Sequence, residues 1–156
     1  MFEVHVATTI NRPLAEVFAY YVEPQNRVQW SDHVVAGHWL TEGQAGVGSV
    51  FEITVRQWGR PLRTVRGITI FEPDQRLCYT METRYLSVSS CQMFDPVEEG
   101  TRFSILANFR FHGLLRIFKP FLQRQQGRHL TEEAANLKRA LENNGETASS
   151  LAEYPS

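Results

Sequence analysis

The sequence predicts an α+β domain in which one curved antiparallel sheet is backed by a single long helix near the C-terminus. Three observations predict it. Residues 34–111 break into short alternating apolar runs divided by turn residues, the pattern of successive strands. The connections Trp58-Gly59-Arg60-Pro61, Glu72-Pro73-Asp74-Gln75 and Asp95-Pro96-Val97-Glu98-Glu99-Gly100 suit only antiparallel neighbours, because a parallel crossover needs a dozen residues or more. After His112 the apolar period lengthens from two to that of a helix, with Leu130, Ala134, Leu137 and Leu141 on one stripe.

The elements follow in order. Residues 2–10 alternate, with Phe2, Val4, Val6 and Ile10 on one side and Glu3 and His5 on the other, which is a strand. Asn11-Arg12-Pro13 then offers a cap and a first-turn proline, and Leu14, Val17, Phe18, Tyr21 and Val22 recur at helical spacing. Pro24 ends that helix, and a second short one is predicted from Gln25 to about Trp30, whose indole would anchor it to the sheet. Six more strands are predicted at 34–40, 50–58, 62–71, 77–83, 86–94 and 102–111, giving seven in one sheet. In the long helix Leu114, Leu115, Phe118 and Leu122 fall on a face rotated from the later stripe. Pro120 and Gly127 lie between, so a kink or a late start is expected. Asn144-Gly145 should stop the helix near Asn143, and GETASSLAEYPS has no period, so the domain is placed at 1–143 and a disordered tail at 144–156.

A chain of 156 residues with 42% hydrophobic content suits one domain with a sizeable core. Its net charge of −1 gives no global attraction to nucleic acid or membrane, so partners must be argued locally. The start MFEVHVATTI lacks a basic n-region and a long apolar h-region, no apolar run is long enough to span a membrane, and the expected location is the cytoplasm. Cys78 and Cys91 lie in strand-like runs with neither a disulfide framework nor a CxxC pair, and the expectation is two reduced, packed thiols. The stretch EGQAGVGSVFEI at 42–53 puts glycines ahead of a strand. A phosphate cradle needs a helix there, so the glycines are read as a turn.

This order of elements resembles the helix-grip superfamily, which takes in START lipid-transfer domains, polyketide cyclase/dehydrase (SRPBCC) proteins and birch-pollen-allergen-type proteins. The likeness is carried by TTINRPLAEVFAYYVEPQNRVQW at 8–30, GVGSVFEI at 46–53, EPDQRLCYTM at 72–81, EEGTRFSILANF at 98–109 and HLTEEAANLKRALEN at 129–143. It implies a helix-grip fold: a seven-stranded curved antiparallel sheet wrapped around the C-terminal helix, two short helices after strand one, and a hydrophobic cavity between sheet and helix.

Alternation says which side chains would face such a cavity. In the last strand Phe103, Ile105, Ala107, Phe109 and Phe111 point one way. If the turn at 95–100 sets Phe94 opposite Phe103, then Val88, Ser90 and Gln92 share that face; Leu77, Tyr79 and Met81, and Phe51, Ile53 and Val55, complete the wall. Ser90, Gln92 and the Tyr79 hydroxyl are the polar groups in it, and a buried polar group needs a partner that a ligand can supply. Trp30 and, from the helix, Phe118, Phe121, Leu122 and Gln125 are added as ligand contacts. Residues 110–129 hold Arg110, Arg116, Lys119, Arg124 and Arg128 and no carboxylate, interleaved with apolar residues. Arg124 and Arg128 are assigned to attract an anionic head group or make transient contact with an acidic lipid surface.

Other chemistry is excluded. Ser31-Asp32-His33 are only sequence neighbours, His33 and His38 have no carboxylate at a metal-binding offset, and no basic aromatic strand face suits nucleic acid. Neither metal nor cofactor is expected. Acid–base candidates for catalysis are Tyr79, Glu82 and His112, of which Glu82 and His112 fall on the outward register. The predicted function is binding or transport of a small hydrophobic or amphipathic molecule (lipid, polyketide or aromatic compound). The alternatives are a cyclase/dehydratase-type enzyme using the same cavity and a module that binds and regulates a partner protein.

Overall fold

The computed structural model describes the backbone of residues 1–152 and the side chains of residues 1–143. Strand β1 (Phe2–Ile10) leads into helix α1 (Leu14–Val22), a 3-10 turn (Pro24–Asn26) and the single-turn helix α2 (Arg27–Trp30). Strands β2 (Val34–Trp39), β3 (Val50–Gln57), β4 (Arg60–Glu72), β5 (Arg76–Glu82), β6 (Leu86–Val97) and β7 (Gly100–Phe111) follow. A second 3-10 turn (Gly113–Phe118) ends the sheet and opens the long helix α3 (Lys119–Ala152). The sheet order is β1-β7-β6-β5-β4-β3-β2, an antiparallel meander from β2 to β7 closed by β1.

The registers settle which face is which. Phe94 lies opposite Phe103, Gln92 opposite Ile105, Ser90 opposite Ala107 and Tyr79 opposite Ser90, so these side chains share the concave face, as alternation predicted. Phe18 and Tyr21 of α1 pack their rings against Phe94, and Tyr21 and Phe94 also meet Phe103. The second half of α3 closes the core with Ala134, Leu137 and Leu141, all buried.

Antiparallel order gives the sheet two ends. The β3–β4 and β5–β6 hairpins and the exit of β7 lie at one, called here the upper end; the 40–49 loop and the β4–β5 and β6–β7 turns lie at the other. Helix α3 runs downward, since Lys138 donates to the Thr9 carbonyl at 2.6 Å and Glu142 accepts from the Asn11 amide at 3.1 Å, both at the lower end of β1. Its first turns therefore stand at the upper end.

Two glycines are required by close approach. A methyl at Gly37 would run into the Pro24 carbonyl, so this position lets the turn before α2 sit down on β2; Gly100, at φ 138°, would meet the Ile10 carbonyl. The 42–53 stretch is a turn that feeds β3, with Gly43 and Gly48 at φ 89° and 90°.

The structure departs from expectation in three places. Cys78 and Cys91 are joined by a disulfide rather than left as thiols, because the β5–β6 register sets them directly opposite with Cα atoms 4.1 Å apart, a pairing invisible in their spacing. Strand β6 runs on to Val97: past Met93 it has left its β5 partner behind, so Pro96 costs no ladder bond on that side. Helix α3 has the late start that was one of its two expected outcomes, after the 3-10 turn, with Pro120 in its first turn where no intrahelical donor is missed. It then passes Asn144-Gly145 and continues to Ala152; the rest of the expected tail, 153–156, lies outside the described residues.

Candidate functional site

Charged side chains enter this apolar interior from three elements. Arg27, on α2, is only 4% exposed; its Nη2 donates to the Tyr21 hydroxyl at 2.8 Å, and its guanidinium lies 5.2 Å from the Tyr21 ring and 5.4 Å from that of Trp30. Arg66 points in from β4, donating from Nη1 to the Tyr79 hydroxyl at 3.1 Å with its guanidinium 5.2 Å from that ring. Glu133 comes from α3, one position before the buried Ala134, and its side chain is 15% exposed. Its Oε1 accepts from Ser31 Oγ at 3.1 Å and lies 3.3 Å from His129 Nε2. Two cations and one carboxylate thus share a low-dielectric space, where each charge needs the others.

The environment moves the titrating groups apart. Burial holds the Tyr21 phenol above its ordinary value despite Arg27. Burial also pushes Tyr79 upward, but Arg66 and Arg27, with a hydrogen bond from Ser90, more than offset it, and the phenol lies below its ordinary value. For Glu133 burial acts upward, yet the His129 hydrogen bond and the Arg27 charge bring its carboxyl down to about 2. His129 is raised, chiefly by its hydrogen bond to Glu133. Two buried tyrosines with opposite shifts are the arrangement in which one can trade protons while the other stays a neutral hydrogen-bonding group.

Not every buried polar atom here has a partner. Gln92 donates from Nε2 to Ser90 Oγ at 2.7 Å, but its Oε1 accepts nothing, and the Trp30 Nε1 and Arg66 Nε donors point at no acceptor. A cavity of about 10 Å³ lies between the short helices and the sheet, bounded by Tyr21, Arg27, Trp39, Phe51, Ile68 and Leu77 among others. That is room for about one water. Among the described residues no group of three or more His, Cys, Asp or Glu is placed to hold a metal.

Residues 1–142 match the family described as "Polyketide cyclase / dehydrase and lipid transport". The chain belongs to that family. Among solved structures it is similar to TTHA0849 from Thermus thermophilus, at TM-score 0.77 and 12% identity, over 92% of this chain and 99% of that one. It is also similar to the di-domain ARO/CYC BexL from the BE-7585A biosynthetic pathway, at TM-score 0.76 and 20% identity, over 91% of this chain and 47% of BexL. A third similar structure, Ara h 8.0201, has TM-score 0.62 and 18% identity, over 87% of this chain and 97% of that one. At these identities the likeness is one of fold. No curated protein matches the chain.

On this polyketide cyclase/dehydrase scaffold, Trp30, Phe51, Ile53, Tyr79, Ser90 and Gln92 are buried in the interior, as are Phe103, Ile105 and Phe109, while Met81 is half-buried against them. Phe118, Phe121 and Gln125 are exposed and Leu122 half-buried, so the first turns of α3 do not line the closed interior; Arg124 and Arg128 are exposed as well. Glu82 and His112 lie on the outer face, joined through Ser87, whose Oγ is 2.6 Å from Glu82 Oε2 and 2.7 Å from His112 Nε2. There the hydroxyl sits between imidazole and carboxylate, not at the end of a relay, so the order of a nucleophilic triad is absent.

Sequence reasoning passed over Tyr21, Arg27, Arg66, His129 and Glu133. A signal existed for three. Arg66 shares the inward register of Thr64 and Ile68, Arg27 lies one turn before the anchor Trp30, and Glu133 follows Leu130 on the apolar stripe of α3. A charge at a core position of an amphipathic element is the observation to follow.

Proposed function

We propose that this family member binds a small amphipathic molecule in the interior enclosed by the sheet, the short helices and α3, with its apolar body among Phe51, Ile68 and Leu77 and its polar atoms on Arg66, Trp30 and Gln92. The observation that carries this reading is the set of unpartnered buried polar atoms, two donors and one acceptor, beside the Arg27–Glu133–Arg66 cluster. A ligand carbonyl or carboxylate oxygen would accept from Trp30 Nε1 and Arg66 Nε, and a ligand hydroxyl would donate to Gln92 Oε1. A ligand larger than a water requires the interior to open, and the first turns of α3, packed less than its second half, are the segment with freedom to move. The exposed Arg124 and Arg128 would draw an anionic head group toward that side. The test uses anilinonaphthalene sulfonate, an anionic aromatic probe. Its fluorescence should rise on mixing with the protein, and Arg66→Met should abolish most of the rise; equal response from both proteins overturns the reading.

The opposed tyrosine shifts favour one further step, acid–base chemistry of the cyclase/dehydratase type. The Tyr79 phenolate would take the proton from a carbon flanked by two carbonyls while Arg66 and Arg27 hold the enolate oxygen. The enolate carbon would attack a second carbonyl, forming a C–C bond, and the resulting alkoxide would recover the proton from Tyr79. Deuterium exchange at the central carbon of a 1,3-diketone should accelerate with the protein and fall to the uncatalysed rate in Tyr79→Phe. Exchange that survives in Tyr79→Phe would sink this step.

A further inference from the structure

The net charge of −1 conceals a polarised molecule. At the upper end the 56–63 hairpin, the 82–87 hairpin and the 110–128 segment together hold nine Arg and Lys, all exposed, against the one carboxylate Glu82. At the lower end the 40–49 loop and the 72–75 and 95–99 turns hold six carboxylates and no Lys or Arg. Among the described residues Arg63 is the one upper cation in an ion pair, 3.9 Å from Glu52.

The same end carries the apolar tips. Trp58 stands at the β3–β4 hairpin, 95% exposed, at φ 51°, the left-handed conformation that such a tight turn uses. Tyr85 is exposed at the β5–β6 hairpin, and Leu114, 81% exposed, with Ile117, Phe118 and Phe121, forms the uncovered side of the last 3-10 turn and the first turn of α3. Four exposed aromatic rings in three separate segments lie at this one end, each within two residues of an Arg or Lys: Trp58 by Arg60, Tyr85 by Arg84, and Phe118 and Phe121 by Lys119. Separated aromatic tips set among cations suit the interface of a bilayer, where amphipathic rings settle at head-group depth and Arg and Lys meet anionic lipid. A flat protein partner would instead favour one contiguous apolar patch. No helix among the described residues is long and apolar enough to cross a membrane, so the contact is peripheral.

We propose that the upper end is a three-point docking surface for an anionic lipid bilayer, with the Trp58 hairpin, the Tyr85 hairpin and the 114–121 segment seated together in the head-group layer. It rests on the ligand-binding reading only in giving the docking a purpose: α3 would meet lipid with the turns that must move for the interior to open.

The test is sedimentation with vesicles of phosphatidylcholine containing about a third phosphatidylserine, and with pure phosphatidylcholine, together with Trp58 emission. The protein should sediment with the anionic vesicles and not the neutral ones, and emission should shift to the blue in the wild type but not in Trp58→Phe. The combined variant W58A/R60E/R84E should lose roughly tenfold or more in vesicle affinity, given that each cation near the surface contributes appreciably. Its response to anilinonaphthalene sulfonate should persist, since none of the three residues reaches the interior. Failure of docking and failure of ligand binding are thereby read separately. No binding to anionic vesicles, or binding that W58A/R60E/R84E leaves unchanged, overturns the proposal. So does concentration-dependent dimerisation in analytical ultracentrifugation that the same variant abolishes, which would assign the surface to a second copy of the chain.

Discussion

The two halves of α3 are one continuous helix with opposite relations to the sheet. From His129 to Asn143 it buries Ala134, Leu137 and Leu141 and carries Glu133 into the field of the Arg27 and Arg66 charges; from Lys119 to Arg128 it leaves Phe121, Arg124 and Gln125 in solvent. The difference comes from sequence. The later half has a single apolar stripe that β1 and β7 can cover, whereas in the earlier half the apolar residues face a side where no strand waits. The half that packs fixes the position of the site's carboxylate, and the half that does not is free to serve access or docking.

The sharpest break in that comparison is Leu137→Ala. Leu137 is wholly buried, so its truncation should cost about 2–5 kcal/mol in a urea melt, by lost transfer energy plus the cavity left behind. Glu133→Gln comes next. The carboxyl is held at about 2 against an ordinary 4.5, a depressed folded value, so its stabilisation is fully present above pH 4.5 and is lost as pH falls toward 2. The shift corresponds to about 3 kcal/mol. The wild type should therefore lose roughly that much between those limits, while Glu133→Gln should start lower at neutral pH and show a flatter acid limb. Equal acid limbs would mean that neither the His129 hydrogen bond nor the Arg27 and Arg66 charges hold this carboxylate down.

His129→Gln should have a smaller effect of the opposite pH sense. Its imidazole is raised by Glu133, so the contribution is complete below the ordinary 6.5 and disappears as pH rises through the higher folded value. At 35% exposure the pair should be worth no more than about 1 kcal/mol, seen as a difference between wild type and variant at acid pH that closes at alkaline pH.

The fold was legible because its signals are local. Alternation in β3, β5 and β7 showed the inward faces of Phe51, Tyr79 and Phe103, and short turns left antiparallel pairing as the one solution. The interior charges were not legible in the same way. Arg27, Arg66 and Glu133 each look like an ordinary surface charge until the fold brings α2, β4 and α3 together, and only the tertiary contact decides that such a residue is inside. Cys78 and Cys91 show the same limit, since the register that sets them opposite is a property of the β5–β6 pair and not of either strand. Phe118 and Phe121 show the converse: apolar residues were placed against the interior, but the 3-10 turn and the first turn of α3 present them on a side that no strand covers.

The smallest effect in a stability measurement should come from Phe121→Ala, the counterpart of Leu137→Ala in the other half of the helix. Phe121 is 67% exposed, so truncation removes little buried surface and opens no cavity; the melt should move by no more than about 0.5 kcal/mol. Alanine even has the better helix propensity at that site. A loss as large as that of Leu137→Ala would mean that the first turns of α3 spend most of their time packed on the sheet, and the contrast between the two halves would fail. An unchanged melt would leave a large aromatic side chain that does nothing for the fold, and its reason for being there must then lie in what the upper end of the sheet touches.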